Sequence, residues 1–348
     1  MKIQLIASSS CKIIKSLCTH RYTPHQLYCT ENNIASKPPW NILFFGSDKF
    51  ALETLQLLNE NRINNEHQLV KNIEVVATQR TDIRKYAVEK KLKVHDWPVT
   101  VNAGQYDVGV LVSFGHLIPA ALINSFPYGI LNVHASLLPR WRGPAPIVHT
   151  ILNNDKYTGV TIMKIKPKHF DTGEILLQKK IAVPEKVTYP YLHDVLAKEG
   201  ASLLVDSLKD LPNLIKQDLK PDLEVTQAKK IKESFGNLNW NDTCENIYTV
   251  YRTLLSLKPV YTKLNGLKVY LFDMIDPTLT KDHIQKEKFE ALPVGTVRWA
   301  KQGNVLLVKC KDGLVGFKGI QVKKKSLPSV FYGLYLKGKD HVAFDSDS

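Results

Sequence analysis

The chain has 348 residues, of which 44% are hydrophobic, and its 47 lysines and arginines against 33 acidic residues give a formal net charge of +14. This length and composition can build two folded domains, which excludes disorder over most of the sequence. No apolar run approaches the roughly 20 residues of a membrane span, and the five cysteines have no paired C-x-x-C spacing. The sequence therefore predicts a soluble protein with neither a disulfide framework nor a zinc site.

The basic excess is concentrated at the two ends of the chain. Residues 1–39 carry a net charge of +4, residues 40–210 carry +3 and residues 211–348 carry +7. The first segment has one acid, Glu31, and short apolar pieces that alternate with serine and lysine, which is typical of an organellar transit peptide. Its apolar runs are too short for a secretory signal, and a disordered cytosolic tail is the alternative.

Strands and helices alternate in residues 40–210. An apolar run over residues 41–45 ends at Gly46 and predicts a buried parallel strand, and Ser47 or Asp48 can cap the helix that follows. Further strands are predicted over residues 73–78 and 108–113, with a helix over residues 83–91 between them. This order predicts an α/β fold whose sheet is doubly wound and mostly parallel.

In a sheet of this kind, ligands bind beyond the carboxyl ends of the strands. The loops after Phe45, Val112 and Val133 are therefore the places to look for a site. Gly46 is not followed by further glycines in the GxGxxG pattern, so a dinucleotide site is not predicted.

Short strands replace this pattern in the last part of the chain. They are predicted over residues 260–264, 267–272, 295–299, 305–309, 313–317 and 320–323, and Asn265-Gly266 predicts a tight hairpin between the first two. Closely spaced short strands predict a small β-barrel over residues 223–340. Residues 211–222, where Pro212 and Pro221 flank a polar stretch, are predicted to link the domains.

Three polar side chains form the candidate catalytic set. Asn132 and His134 are two residues apart on a predicted strand and therefore project from the same face. An amide donor beside an imidazole is suited to a carbonyl oxygen that becomes negatively charged during a reaction. Asp171 follows a second strand, and we expect Gly173 to supply a positive φ for the turn after it. Each residue alone is more often a cap or a turn residue, so the combination carries the prediction.

The sequence over residues 132–147, Asn-Val-His-Ala-Ser-Leu-Leu-Pro-Arg-Trp-Arg-Gly-Pro-Ala-Pro-Ile, resembles the methionyl-tRNA formyltransferase family. Thr-Gly-Val-Thr-Ile-Met over residues 158–163 and Phe-Asp-Thr-Gly over residues 170–173 strengthen the resemblance, which extends from residue 41 to about residue 325. With the basic presequence, the mitochondrial forms are the most similar. The resemblance implies a Rossmann-like formyltransferase domain, an OB-like β-barrel that binds tRNA, and a location in the mitochondrial matrix.

The resemblance also implies the reaction and the roles of residues. A formyl group would pass from 10-formyltetrahydrofolate to the α-amino group of methionine on initiator tRNA, without a metal and without a membrane partner, in a monomer. Asn132 and protonated His134 would stabilise the oxyanion, and Asp171 would hold His134. A turn suited to a flat heteroaromatic ligand would contact the folate through Ser136, Leu137, Leu138 and Pro139.

The basic residues that would hold the tRNA are harder to assign. Bacterial members carry a long basic loop after the second strand, whereas here the chain passes almost directly into a helix, which leaves Arg80, Arg84 and Lys85 as candidates. The C-terminal domain has six lysines and no acid between residues 313 and 339, among them Lys323, Lys324 and Lys325. A solvated basic face is the alternative for this run.

Two other functions stay open on the sequence alone. Another user of 10-formyltetrahydrofolate, such as a glycinamide ribonucleotide transformylase or a formyltetrahydrofolate hydrolase, could share the three catalytic positions, but the former has no need of a basic second domain. An organellar RNA-binding protein that has lost activity is the alternative from a different class.

Overall fold

The computed structural model describes residues 35–64, 68–279, 292–339 and 341–345. Residues 1–34, which hold most of the predicted transit peptide, lie outside the described residues. Residues 35–39 belong with the fold that follows, because Ala35 packs against the first core and its carbonyl oxygen accepts a hydrogen bond from Tyr128 Oη at 2.7 Å. Among the described residues, no helix has the length and apolar character needed to cross a membrane.

The first part of the chain forms a seven-stranded sheet, as predicted. Its strands are β1 (Trp40–Gly46), β2 (Val70–Val76), β3 (Lys93–His95), β4 (Val108–Val112), β5 (Ile130–His134), β6 (Tyr157–Lys164) and β7 (Glu174–Ala182), in the order β3-β2-β1-β4-β5-β6-β7. Pairs from β3 to β5 are parallel, and β6 and β7 are antiparallel. The strand order reverses between β1 and β4, which is the place where such sheets open a crevice for a ligand.

Helices cover both faces of this sheet. They are α1 (Lys49–Ile63), α2 (Asp82–Glu89), α3 (Ala120–Ile123), α4 (Pro146–Leu152) and α5 (Tyr189–Lys209). Of the two predicted caps of α1, Asp48 is the one used, since its carboxylate accepts from Ala51 N at 3.1 Å. The long helix α5 buries one face against α1 and β6, with Leu192, Leu196 and Leu204 fully buried.

A carboxylate on β2 anchors a polar network at the edge of this sheet. Glu74 accepts hydrogen bonds from Tyr106 and His95, each at 2.6 Å, and lies 3.1 Å from Lys93 Nζ. Burial acts to raise the pKa of Glu74, but these three donors together outweigh it and lower that pKa to about 2. The network ties β2, β3 and the segment before β4 together.

The connection after α5 is partly helical. Within the predicted linker, Leu211–Leu214 forms a short helix, α6, and Leu219 N donates to the Ile175 carbonyl of β7 at 2.8 Å. The linker therefore runs along the first domain rather than away from it.

The last part of the chain forms an antiparallel sheet. A 3-10 turn (Glu233–Gly236) and α7 (Cys244–Leu254) precede β8 (Val260–Leu264), β9 (Leu267–Ile275), β10 (Val297–Ala300), β11 (Val305–Cys310), β12 (Gly313–Gln321) and β13 (Lys325–Ser326), and α8 (Pro328–Phe331) with a π turn (Tyr332–Leu336) follows. The strand order is β10-β11-β12-β9-β8, with β13 beside β12. Two strands predicted over residues 313–317 and 320–323 are one continuous strand, β12.

Residues 342–345 connect the two edges of this sheet. Val297 N donates to the Val342 carbonyl at 2.9 Å, and Asp345 N donates to the Lys263 carbonyl of β8 at 2.8 Å. The sheet thereby wraps around a core that contains Trp240 and Phe317. The predicted hairpin is confirmed, because Asn265 and Gly266 both have positive φ, at 50° and 76°, between β8 and β9.

Candidate active site

A cavity of about 920 Å³ opens at the carboxyl ends of β1, β4 and β5, where the strand order predicts a ligand site. The loop after β4 contributes Ser113, Phe114, Gly115, His116, Leu117 and Ile118 to its wall. Asn132, His134 and Asp171 line it together, and Gln227, Ile231, Leu257 and Lys258 come from the later part of the chain. The first sheet and the part of the chain after the linker therefore build the wall of one cavity together.

The strand β5 delivers two polar side chains to this cavity. Asn132 and His134 are 7% and 6% exposed, and both line the wall. Their neighbours Leu131 and Val133 belong to the apolar core. Burial of polar groups on a central strand is unfavourable unless they have partners, so this pair requires further groups to satisfy it.

Asp171 supplies the third group from the loop between β6 and β7. Its Oδ1 accepts from Asn132 Nδ2 at 3.4 Å and lies 3.6 Å from His134 Nδ1, and its Oδ2 accepts from Gly143 N at 2.9 Å. The structure thus brings Asn132, His134 and Asp171 together, as the sequence predicted.

The predicted positive φ at Gly173 was wrong, although a glycine is required at this position. Two residues of this loop have positive φ, Lys168 at 75° and Asp171 at 52°, and Gly173 does not. Gly173 is needed for space, because a Cβ there would overlap the carbonyl oxygen of Lys164 on β6. The close approach of loop and strand places the carboxylate over the end of the sheet.

The imidazole of His134 is held from two sides. Its Nε2 lies 3.0 Å from the carbonyl oxygen of Trp141, which can only accept, so Nε2 carries a proton. Its Nδ1 faces Asp171 Oδ1. Asn132 Nδ2 and His134 Nδ1 therefore both lie close to the same oxygen, Asp171 Oδ1.

The loop over residues 141–145 carries the backbone groups that hold His134 and Asp171. Its first side chain, Trp141, donates from Nε1 to Asp155 at 2.7 Å and stacks on His149. Arg140 forms a two-pronged ion pair with the same Asp155, at 2.6 and 3.0 Å. The carbonyl of Trp141 and the amide of Gly143 are thereby fixed relative to α4.

The turn predicted to contact folate lies beside the cavity and does not line it. Ser136 and Leu138 are buried, Ser136 Oγ donates to the Arg140 carbonyl at 2.6 Å, and Leu138 N donates to Thr161 Oγ1 at 3.1 Å. Leu137 and Pro139 are half-buried in the same turn. In this geometry the turn supports residues 140–143, and folate contact by Ser136, Leu137, Leu138 and Pro139 stays a prediction.

The sequence reasoning named the loop after β4 as a place for a site but named none of its residues. Phe114 packs edge-on against Phe45 and Trp97, and His116 lies 5.0 Å from the Phe114 ring. Tyr189 also lines the cavity, and its burial, with Asp48 nearby, raises the pKa of its phenol to about 12. The signal that could have found these residues was the Ser-Phe-Gly-His run directly after a buried strand.

The basic candidates for tRNA contact do not line the cavity. Arg80 and Lys85 are exposed, whereas Arg84 forms an ion pair with Asp96 at 2.6 Å. In the second domain Lys323, Lys324 and Lys325 are all exposed at the turn between β12 and β13, and Lys325 lies 3.5 Å from Asp273. Arg84 and Lys325 therefore have carboxylate partners that reduce their attraction for phosphate.

Cys244 and Cys310 are free thiols that lie side by side, which the sequence spacing did not suggest. Their Sγ atoms are 2.9 Å apart, and Asp312 lies beside them. Two thiolates on one tetrahedral zinc ion would be about 3.7 Å apart, given Zn–S bonds of roughly 2.3 Å, so the pair is too close for a preformed zinc site. The hydrogen bond between the thiols raises the pKa of Cys244, to which burial adds, and lowers the pKa of Cys310 against the opposing effect of burial.

Comparison with known proteins agrees with this architecture. The formyl transferase family model matches residues 41–208, and the formyl transferase C-terminal domain model matches residues 230–331. The crystal structure of HypX from Aquifex aeolicus in complex with tetrahydrofolic acid has a TM-score of 0.54 at 17% identity, covering 88% of this chain and 51% of that one, which is a likeness of fold alone. The sheet, the cavity and the two matched regions define the chain as a formyl transferase.

Relatives in sequence identify one family among the formyl transferases. The mitochondrial methionyl-tRNA formyltransferase of Homo sapiens is 42% identical over 315 residues, which cover 88% of this chain and 81% of the human protein. The mitochondrial methionyl-tRNA formyltransferase of Bos taurus is 42% identical over 312 residues, which cover 87% of this chain and 79% of the bovine one. The chain belongs to the methionyl-tRNA formyltransferase family, and the mitochondrial members are among its relatives.

Proposed function

We propose that this enzyme transfers the formyl group of 10-formyltetrahydrofolate to the α-amino group of methionine on initiator tRNA in mitochondria. The observation that carries the proposal is the convergence of Asn132, His134 and Asp171 in one cavity, in a chain of this family. An amide donor 3.4 Å and an imidazole nitrogen 3.6 Å from one carboxylate oxygen suit attack of an amine on a carbonyl carbon.

The reaction needs one addition and one elimination. The lone pair of the neutral amine attacks the formyl carbon, a C–N bond forms, and the carbonyl oxygen takes the negative charge. Asn132 Nδ2 and a proton on His134 Nδ1 point to the place where this oxyanion would lie. When the oxyanion collapses, the bond from the formyl carbon to N10 of the folate breaks. The amine loses one proton and N10 gains one, so the transfer is balanced without an oxidant.

Asp171 has two tasks in this scheme. Its Oδ2 accepts from Gly143 N and anchors the carboxylate, while its Oδ1 gives up Asn132 Nδ2 and His134 Nδ1 to the oxyanion as that charge forms. The carboxylate lies 3.4 Å from Asn132 Nδ2 and can take up the proton that the amine nitrogen loses once the C–N bond has formed. A direct transfer needs no metal and no covalent bond to the protein.

The wall of the cavity suggests how the two substrates divide it. The aromatic and aliphatic loop after β4, with Phe114 and Ile118, suits the flat ring of a folate. Residues that come after the linker, Ile231, Leu257 and Lys258, suit the aminoacyl end of a tRNA that lies on the second domain. Lys323 and Lys324 are the exposed cations we assign to its phosphates, with Arg80 and Lys85 as further contacts and Arg84 and Lys325 as weaker ones.

We propose that the protein works as a monomer in the matrix after its presequence is removed. The contact of Ala35 with Tyr128 supports a cleavage site before residue 35 rather than at the predicted boundary of residue 39. N-terminal sequencing of the protein recovered from isolated mitochondria tests both the import and the site. Recovery of an uncleaved chain in the cytosol would refute it.

The activity is tested by incubating the purified enzyme with methionyl initiator tRNA and 10-formyltetrahydrofolate and separating the products on an acid gel. We expect formylmethionyl-tRNA from the wild type and at least a hundredfold loss in His134→Ala, at unchanged thermal stability. Glycinamide ribonucleotide as the amine, and release of formate without any amine, test the two enzyme alternatives. Formylation of glycinamide ribonucleotide with untouched tRNA would overturn the proposal, and no turnover with retained tRNA binding would favour the inactive RNA-binding protein.

A further inference from the structure

A short segment just after the linker lies across the loop that supports the catalytic pair. We call residues 226–229 the strap. Trp141 N donates to Thr226 Oγ1 at 2.8 Å, Arg142 N donates to the Thr226 carbonyl at 2.9 Å, and Ala228 N donates to the Arg142 carbonyl at 2.6 Å. The strap and the loop over residues 141–143 thus form an isolated parallel β-bridge, between Gln227 and Arg142. The strap lies outside both regions matched by the family models.

Each end of the paired loop holds one catalytic side chain. The carbonyl of Trp141 accepts from His134 Nε2 at 3.0 Å, and Gly143 N donates to Asp171 Oδ2 at 2.9 Å. Thr226 Oγ1 accepts a hydrogen bond from the backbone N–H of the same residue, Trp141. The strap, the loop and the catalytic pair therefore form one chain of contacts.

The fit between strap and loop leaves no free space. Gly143 has a φ of 121°, and a Cβ added there would come within 2.7 Å of the Ala228 carbonyl oxygen. Ala228 itself is fully buried. On the outer side, His149 of α4 contacts the Lys229 carbonyl at 3.0 Å. A shift of the strap must therefore move the loop with it.

We propose that Thr226 is a positioning residue for formyl transfer, acting through Trp141 on His134. Thr226 does not line the cavity, so its hydroxyl acts without touching either substrate. The strap opens the second domain, which holds the tRNA in the proposed function on which this inference rests. The position of the tRNA-binding domain is in this way linked to the distance between His134 and Asp171.

The test compares Thr226→Val, which keeps the shape and removes the acceptor, with Thr226→Ser, which keeps the hydroxyl. We expect Thr226→Val to lower kcat roughly tenfold to a hundredfold, because misplacement of a reacting group by a fraction of an ångström has effects of that size. The KM values for tRNA and folate should change less than threefold, and Thr226→Ser should recover most of kcat. If Thr226→Val does not fold, Thr226→Ala takes its place.

The matched control is Thr296→Val. Thr226 is half-buried and Thr296 is buried, at 3% exposed, and the Thr296 hydroxyl donates to a backbone carbonyl, that of Pro293, at 2.6 Å in the second domain. We expect Thr296→Val to lower the stability of the protein and to leave kcat unchanged. Equal kcat in Thr226→Val and wild type would overturn the inference, as would a loss that Thr226→Ser fails to recover. Absence of activity in the wild type would instead refute the proposed function, so the two failures are distinguishable.

Discussion

The role of Asp171 can be tested by removing its charge and keeping its shape. In Asp171→Asn the side-chain oxygen can still accept from Gly143 N, so the loop should keep its place. The lost charge lies 3.6 Å from His134 Nδ1. At that separation and an effective dielectric constant of about 20, Coulomb's law gives about 5 kcal/mol for a full imidazolium charge.

Water in the open cavity reduces this value, so we expect a transition-state loss of about 3 to 4 kcal/mol, which is roughly a hundredfold to a thousandfold in kcat. The measurement is single-turnover formylation of methionyl initiator tRNA at saturating folate, with thermal unfolding of the same preparations. Asp206→Asn, which removes an exposed carboxylate paired with Lys209 on α5, serves as the control. A kcat for Asp171→Asn within tenfold of the wild type would refute the electrostatic argument.

Three further predictions concern the loop, the sheet edge and the tRNA surface. Gly143→Ala should lower kcat and destabilise the fold by about 1 to 3 kcal/mol, because an L side chain is strained at that φ and meets the Ala228 carbonyl; normal kcat and melting temperature would contradict it. Because the pKa of Glu74 is lowered by folding, its ionised carboxylate stabilises the fold by at most about 3 kcal/mol above pH 4.5. This stabilisation is lost as the pH falls towards 2. Acid unfolding of Glu74→Gln should therefore depend less on pH than that of the wild type, and parallel curves would count against the network. Replacing Lys323, Lys324 and Lys325 by Gln should weaken tRNA binding and reduce its salt slope by about 2, since Lys325 is already paired; an unchanged slope would reject this surface.

The sequence contained enough to predict the sheet and the convergence of Asn132, His134 and Asp171. Asn132 and His134 were found because alternate residues of a strand share a face, and this alternation does not depend on how the sheet packs. The hairpin at Asn265-Gly266 was found because few other pairs accept two positive φ values. Patterns of this kind depend on local backbone geometry, which neighbouring residues determine.

Features that depend on contacts between distant segments were not predictable in the same way. The short edge strand β3 was missed, and the continuous strand β12 was predicted as two strands. Pairing with a neighbour decides where such strands begin and end. The strap binds mainly through backbone groups, which are the same for every sequence. The hydrogen bonds of the Ser136 turn to Thr161 and Arg140 were likewise not predictable, and its contact with folate, which the resemblance implies, stays a prediction.

The contacts between the two halves bear on why a formyl transferase of this family keeps a second domain. Arg252 of α7 is 4% exposed and donates to the Val187 carbonyl and to Asn154 Oδ1, each at 2.9 Å, so α7 is attached firmly to the first domain. The strap adds a second attachment, directly behind His134. A domain that served only to attract tRNA by its charge of +7 could be joined by a loose tether. Because its first residues also support the catalytic loop, removing the second domain should disable the chemistry as well as the binding.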